Sequence, residues 1–522
     1  MSFISFPFVL FFAVLCGAYY GLPKRWQWPL LLVFSIVFYL AADARYVVFL
    51  LVTVVSAYLA CSRMDSRLKA QDRYLAQNKE ILSREEKKAF RAGVKRRNRI
   101  TLTVCLAVNF SMLFFCKVLL LPGPAAAAEG SALSFLSLGL PLGMSFYLFQ
   151  SMGCCIDVYR GKASFQRNFL KFALFTTYFP YLIQGPINSY AQLGDALYKP
   201  HAFDGKQWSF GLQRMLWGYF KKLVIADRIA PMVAALRAPE LGGTGFFLLT
   251  LSYAVQIYGD FTGGIDITIG MSQCLGIPLR ENFLRPYFSK NIAEYWRRWH
   301  ISLGEWMKDY IFYPISVSAP MLRLSKAARV RFGNFGKRLP VYAASVATWF
   351  VTGIWHGLTP NFILWGMLNC FFIVASEELS PLYAKFHGRF HLKDRGWYGW
   401  FEILRMFLLM NFIRACDLFP HVGDYFAGFG RMVLRPNFSI LTDGTLLTLG
   451  LTALDFGILA VGIALVFAVS LYQEKRGSVR ELLWGKNQWL RHGVLFVLLL
   501  AVLLLGKYGT GYNASSFIYN QF

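Results

Sequence analysis

The sequence predicts an all-α, polytopic integral membrane protein, and three observations predict it. Of the 522 residues 56% are hydrophobic, with 49 Phe, 27 Tyr and 14 Trp, and mean hydropathy is +0.43, a composition foreign to soluble domains. Apolar stretches close to the roughly 20 residues needed to span a bilayer recur along the whole chain. The formal charge of +26 sits mainly in loops between those stretches, as topology rather than nucleic-acid binding requires.

Taken in order, the apolar stretches cover about 4–22, 28–42, 46–62, 101–122, 135–155, 210–226, 244–275, 340–376, 400–416, 453–473 and 493–507. About nine to twelve transmembrane helices are expected from this pattern. Stretch 28–42 is short enough to be tilted or partly inserted, and 340–376 is expected to hold two helices broken at Gly353–Pro360. The first stretch lacks a basic leader and a small-residue cleavage site, so it is expected to be a retained helix. With no internal repeat, Walker lysine motif or long Ser/Gly linker, residues 1–522 are expected to form one integral domain.

Charge orients the spans. Residues 63–100 hold 13 Lys/Arg against 5 Asp/Glu, and 474–492 hold 5 against 2. Both segments are therefore expected on the cytoplasmic side of a cell membrane, which places both termini outside. Segment 63–100 is expected to be a solvated, charged helical hairpin, the alternative being a role in attracting anionic lipid headgroups or a phosphate-rich donor. Ala125–Ala128 reads as a short extracytoplasmic loop.

The nine cysteines lie mostly in or beside apolar stretches and form no metal-type pair, so they read as small core hydrophobes. The adjacent Cys154 and Cys155 are poor chelators and strained disulfide partners. The seven histidines show no compact metal-binding spacing either, and no bound metal is expected.

Two histidines stand apart from the rest. In segment 276–316, expected to be interfacial, Ile292, Tyr295, Trp296, Trp299, Leu303, Trp306 and Tyr310 recur at three- and four-residue steps, the signature of an amphipathic helix anchored by tryptophan. Arg298, Ser302, Glu305 and Asp309 form its opposite stripe, and His300 falls at the apolar face. His300 has two readings, a structural histidine satisfied by a carbonyl or a functional one. His356, in Thr352-Gly-Ile-Trp-His356-Gly, occupies a Gly/Pro-interrupted point between two apolar runs. Non-helical backbone at membrane depth is tolerated where it lines a protein or water-filled cavity, so His356 is a candidate reaction site. Burial favours the neutral imidazole, which can accept a proton.

Trp299 and Trp355 beside the histidines, with Asp260, Asp266 and Gln184 in polar breaks of apolar stretches, are the candidate substrate-binding residues. The aspartates have a structural alternative, capping helices or pairing with Arg297 or Arg298.

The ordered set Ser145-Phe-Tyr-Leu-Phe-Gln150, Tyr178-Phe-Pro-Tyr-Leu-Ile-Gln-Gly-Pro-Ile187, Lys221-Lys-Leu-Val-Ile-Ala-Asp-Arg228, Gln256-Ile-Tyr-Gly-Asp260, Glu281-Asn-Phe, Trp296-Arg-Arg-Trp-His300, Trp355-His-Gly357, Phe412-Ile-Arg-Ala415 and Phe517-Ile-Tyr-Asn-Gln-Phe522 resembles the membrane-bound O-acyltransferases. Within them it resembles the bacterial branch of the alginate O-acetyltransferase membrane subunit. The resemblance implies a catalytic role for His356 and a second role for His300 in a central tunnel bordered by re-entrant helices. It implies O-acetyl transfer from a cytoplasmic thioester, acetyl-CoA or an acyl-carrier protein, with no bound cofactor, towards a secreted or cell-surface polysaccharide. An extracytoplasmic, esterase-like partner of the SGNH type and the polysaccharide biosynthesis machinery are the implied partners. The chain departs from the alginate-type pattern at Ile315-Ser-Val-Ser-Ala-Pro320 and at Gly259 and Gly264, which leaves the acceptor open. Two other readings remain, a proton-coupled transporter or flippase, and an acyltransferase acting on lipid, teichoic acid or protein.

Overall fold

The structure, a computed structural model, describes residues 2–119, 141–163 and 165–508. The loop expected at Ala125–Ala128 and the terminal motif Phe517–Phe522 lie outside the described residues. The described residues are mainly helical, with no strand among them and one isolated bridge between Phe283 and Trp299.

Six described helices are long and apolar enough to cross a membrane, and the bent pair Pro360–Glu378 and Ser380–Phe390 makes a seventh if taken as one span. Other expected stretches fold as shorter helices, such as Phe6–Gly21 with 16 residues. Long helices expose large apolar side chains, including Val461, Leu454 and Leu504, as lipid-facing surfaces do.

By contacts the chain divides into two compact units. The first comprises Met1–Ser209 with Met271–Arg280, the second Phe210–Gly270 with Glu281–Phe522. In the first unit, Val47–Gln77 and Arg84–Leu119 carry segment 63–100 as the expected helical hairpin. A capping box closes its second helix: Ser83 N–H donates to Glu86 at 2.8 Å and Glu86 N–H to Ser83 Oγ at 3.2 Å. All nine cysteines are buried and free, so they pack as small hydrophobes.

In the second unit a π-helical turn, Phe220–Ala226, sits beside the long helix Gly242–Cys274. Glycines bring the two backbones together: a Cβ on Gly218 would lie 2.5 Å from the Gly263 carbonyl oxygen, and one on Gly259 2.8 Å from that of Lys221. Position 259 therefore has no room for an aromatic ring without moving backbone. The expected break in 340–376 is present, as Ala319–His356 ends at the histidine and Pro360–Glu378 restarts with Pro360 in its first turn.

One expectation is corrected. Residues 292–310 do not form a single amphipathic helix. Ile292–Arg298 and Ile301–Met307 are separate helices, and a π-turn, Lys308–Phe312, follows. Trp299 and Trp306 are buried within the protein. The cause is local. Trp299 is extended (φ −108°, ψ 127°) and His300 is left-handed (φ 47°, ψ 50°), which ends one helix and turns the chain before the next.

Candidate active site

The left-handed turn at His300 is held from both sides. An extended segment runs alongside it: Leu284 N–H donates to the Arg298 carbonyl at 2.9 Å, and Ile301 N–H to the Asn282 carbonyl at 3.0 Å. The His300 carbonyl then accepts the N–H groups of Leu303 and Gly304, each at 3.1 Å, and so starts the next helix. A non-glycine residue in this conformation is uncommon and persists only where its surroundings over-determine it.

This backbone buries the His300 ring, which is 2% exposed. Its Nδ1 is 3.3 Å from Asn282 Oδ1, and Phe261 meets it edge-on at 4.9 Å between ring centres. Burial holds the imidazole far below the ordinary histidine range, at about 3, so the ring is neutral. A neutral ring is the base-competent form.

His356 is placed differently, at the last turn of its helix with Gly357 extended beyond it (φ −173°). The half-buried ring stands edge-on to two indoles, Trp355 and Trp365, each at 4.8 Å between centres. Trp365 comes from the neighbouring helix, where its backbone carbonyl accepts from Asn369 Nδ2 at 2.8 Å. Asn369 Oδ1 in turn accepts from Trp296 Nε1 at 3.1 Å, and Trp296 packs edge-on against Trp349. Close helix approach makes this possible, since a Cβ on Gly353 would lie 2.6 Å from the Phe362 carbonyl oxygen.

The two histidines share a neighbour. The Trp355 indole lies 4.8 Å from the His356 ring and 6.2 Å from the His300 ring. Trp299 is likewise built in: it stacks with Tyr295 at 5.8 Å, and the Arg414 guanidinium lies 4.0 Å over its face. Arg414 Nη2 donates to the Tyr295 hydroxyl at 2.7 Å. A buried arginine stacked this way makes a cation–π contact and holds the indole next to His300 in fixed orientation.

The structure thus brings His300, His356, Trp299 and Trp355 into one neighbourhood of the second unit. The two aspartates are engaged elsewhere in it. Lys222 pairs with Asp260 and, at 2.8 Å, with Asp227, while Asp266 accepts from Arg214 at 2.9 Å and Lys221 at 2.7 Å. The pairing with Arg297 or Arg298 is corrected: Arg298 binds Glu294 at 2.7 Å and Glu474 at 2.9 Å. The reason is the π-turn, which directs two consecutive lysines towards the glycine-rich face of the long helix. Gln184 belongs to the first unit, where it ends the buried helix Phe179–Gln184.

Asn282 and Arg414 were not legible as site residues in the sequence alone. Arg414 carried a usable signal, a charge inside an apolar stretch. Asn282 carried none beyond its place in Glu281-Asn-Phe, because its contact depends on the pairing of two distant segments.

Residues 164–417 match the family model of MBOAT, the membrane-bound O-acyltransferase family. Both histidines lie within the matched residues. Among relatives, a protein named probable alginate O-acetylase AlgI from Azotobacter vinelandii is 38% identical over 231 residues, 44% of this chain and 42% of that protein. The peptidoglycan O-acetyltransferase of Helicobacter pylori is 30% identical over 280 residues, 48% of this chain and 50% of the relative. The teichoic acid D-alanyltransferase of Bacillus subtilis is 27% identical over 235 residues, covering 44% and 56%. The chain spans about half the length of the curated relatives it matches.

Proposed function

We propose that this protein is a membrane O-acyltransferase that moves an acetyl group from a cytoplasmic thioester towards a secreted or cell-surface polysaccharide. The observation that carries the reading is the pair of histidines packed against Trp355 inside the family domain. The names of the relatives support the polysaccharide class, since they refer to alginate and peptidoglycan O-acetyl transfer and to teichoic acid.

The chemistry asks for what the site holds. Transfer from sulfur to oxygen needs a group to take the hydroxyl proton as oxygen attacks the thioester carbonyl. As the C–O bond forms and the C–S bond breaks, that proton passes to the departing sulfur. Imidazole can carry it, or can hold the acyl group as a covalent intermediate. His356, half-buried at a helix end, is assigned that part, and His300 is the second, neutral imidazole. Tryptophan walls keep bulk water from the thioester and protect it from hydrolysis. The donor is acetyl-CoA or an acyl-carrier thioester, and the basic segments 63–100 and 474–492 favour an anionic donor from the cytoplasmic face of a cell membrane. That orientation sets both termini outside. An extracytoplasmic SGNH-type partner completes transfer to the polymer.

The test uses membranes containing equal amounts of wild type and His356→Ala supplied with acetyl-CoA. Thiol release and acetyl transfer should fall about 10²–10⁴-fold in the variant. Equal release would remove His356 from the chemistry, and no thioester consumption by wild type would favour a transporter.

A further inference from the structure

We propose that Asn282 is a positioning residue that fixes His300 as the Nδ1–H tautomer, with the lone pair on Nε2. The side chain of Asn282 is fully buried. Its oxygen and nitrogen are told apart by their neighbours. The backbone N–H of Ser302 points at the Oδ1 position from 3.0 Å, and a backbone N–H can only donate, so that end of the amide is the oxygen. The Ser302 hydroxyl donates to the same atom at 2.9 Å. With the oxygen placed, His300 Nδ1 at 3.3 Å faces an acceptor and must present an N–H. A neutral imidazole carries one such hydrogen, so Nε2 is the accepting nitrogen.

The arrangement also explains the strained backbone. One amide oxygen ties the ring of His300 to the backbone of Ser302, two residues on, across the left-handed turn (φ 47°). The Asn282 carbonyl meanwhile accepts from Ile301, between them. Asn282 therefore sets the turn and the ring together. The partner of a histidine's second nitrogen decides which nitrogen is available for chemistry, and at metal-bound histidines losing such a partner typically costs 10–100-fold in affinity or activity, the scale expected here. The catalytic consequence rests on the acyl-transfer reading: Nε2 is the atom with which His300 accepts a hydrogen bond from a substrate hydroxyl. The tautomer itself does not rest on that reading.

The test is the ¹⁵N spectrum of histidine-labelled full-length protein in lipid, with the His300 signals assigned by difference from His300→Gln. Wild type and Asn282→Asp, which keeps an acceptor, should show a protonated Nδ1 and a bare Nε2. Asn282→Leu should lose that pattern and 10–100-fold of acetyl transfer, with Asn282→Asp recovering most of the rate. A wild-type ring protonated at Nε2 overturns the proposal, as does a folded Asn282→Leu with an unchanged ring. If Asn282→Leu does not fold, the wild-type spectrum still decides. Absence of acetyl transfer in wild type would instead sink the acyltransferase reading and leave the tautomer result standing.

Discussion

The His300 imidazole lies 6.2 Å, ring centre to ring centre, from the indole of Trp355. The same indole is 4.8 Å from His356. Trp355 is therefore the shared wall of both imidazoles, and its shape sets where each ring stands. Trp355→Phe should lower acetyl transfer about 10²-fold while the protein still accumulates in membranes, because small misplacements of reacting groups cost that much. A rate within twofold of wild type would mean that Trp355 only fills space.

The lysine–aspartate pairs are held inside the protein. Lys222 and Asp260 are 1% and 2% exposed, and removing one member of such a pair costs about 3–5 kcal/mol. Lys222→Met, which strands two carboxylates, should destabilise more than Asp260→Asn, and Lys222→Met/Asp260→Leu should recover part of the loss. Thermal unfolding in detergent measures this order. An Asp260→Asn protein of normal stability with a raised KM for the thioester would return Asp260 to the substrate site.

Helix approach behind His356 sets a third expectation. A Cβ on Gly366 would drive into the Trp349 carbonyl oxygen, whereas one on Gly388 meets nothing within 4 Å. Gly366→Ala should cost about 1–3 kcal/mol and reduce transfer by moving the helix that carries Trp365. Gly388→Ala should be neutral or stabilising by up to about 1 kcal/mol. Equal behaviour of the two variants would argue against the tight crossing.

Burial depresses His300 from 6.5 to about 3. Between those values the unfolded chain binds a proton at this residue and the folded chain does not, so this contribution to stability rises with pH. It is complete above about 6.5 and is lost as pH falls towards 3. The ring signals of His300 should therefore not move between about pH 8 and 5, and any acid limb of activity near 6 should persist in a titration of other groups. A His300 ring that titrates near 6.5 would contradict the buried geometry.

The helical class and the break after His356 were legible because hydropathy and Gly/Pro breaks are local signals. The helix stop at His356 follows from Gly357 and Pro360, which the sequence displays. The turn at His300 was not legible: Ile292 to Tyr310 keeps helical spacing through residues 299 and 300, and only pairing with 282–284 breaks it. The destinations of Asp260 and Asp266 were hidden for a related reason. A π-turn shifts the register by one residue, so Lys221 and Lys222 reach partners that α-helical spacing would not assign.

The most direct measurement is the base-labile O-acetyl content of cell-surface polysaccharide in a deletion strain complemented with wild type or His356→Ala at equal membrane levels. Restoration by wild type alone is the expected result and would join the acyltransferase reading to the site. Equal restoration by His356→Ala, or no change with either, would contradict it.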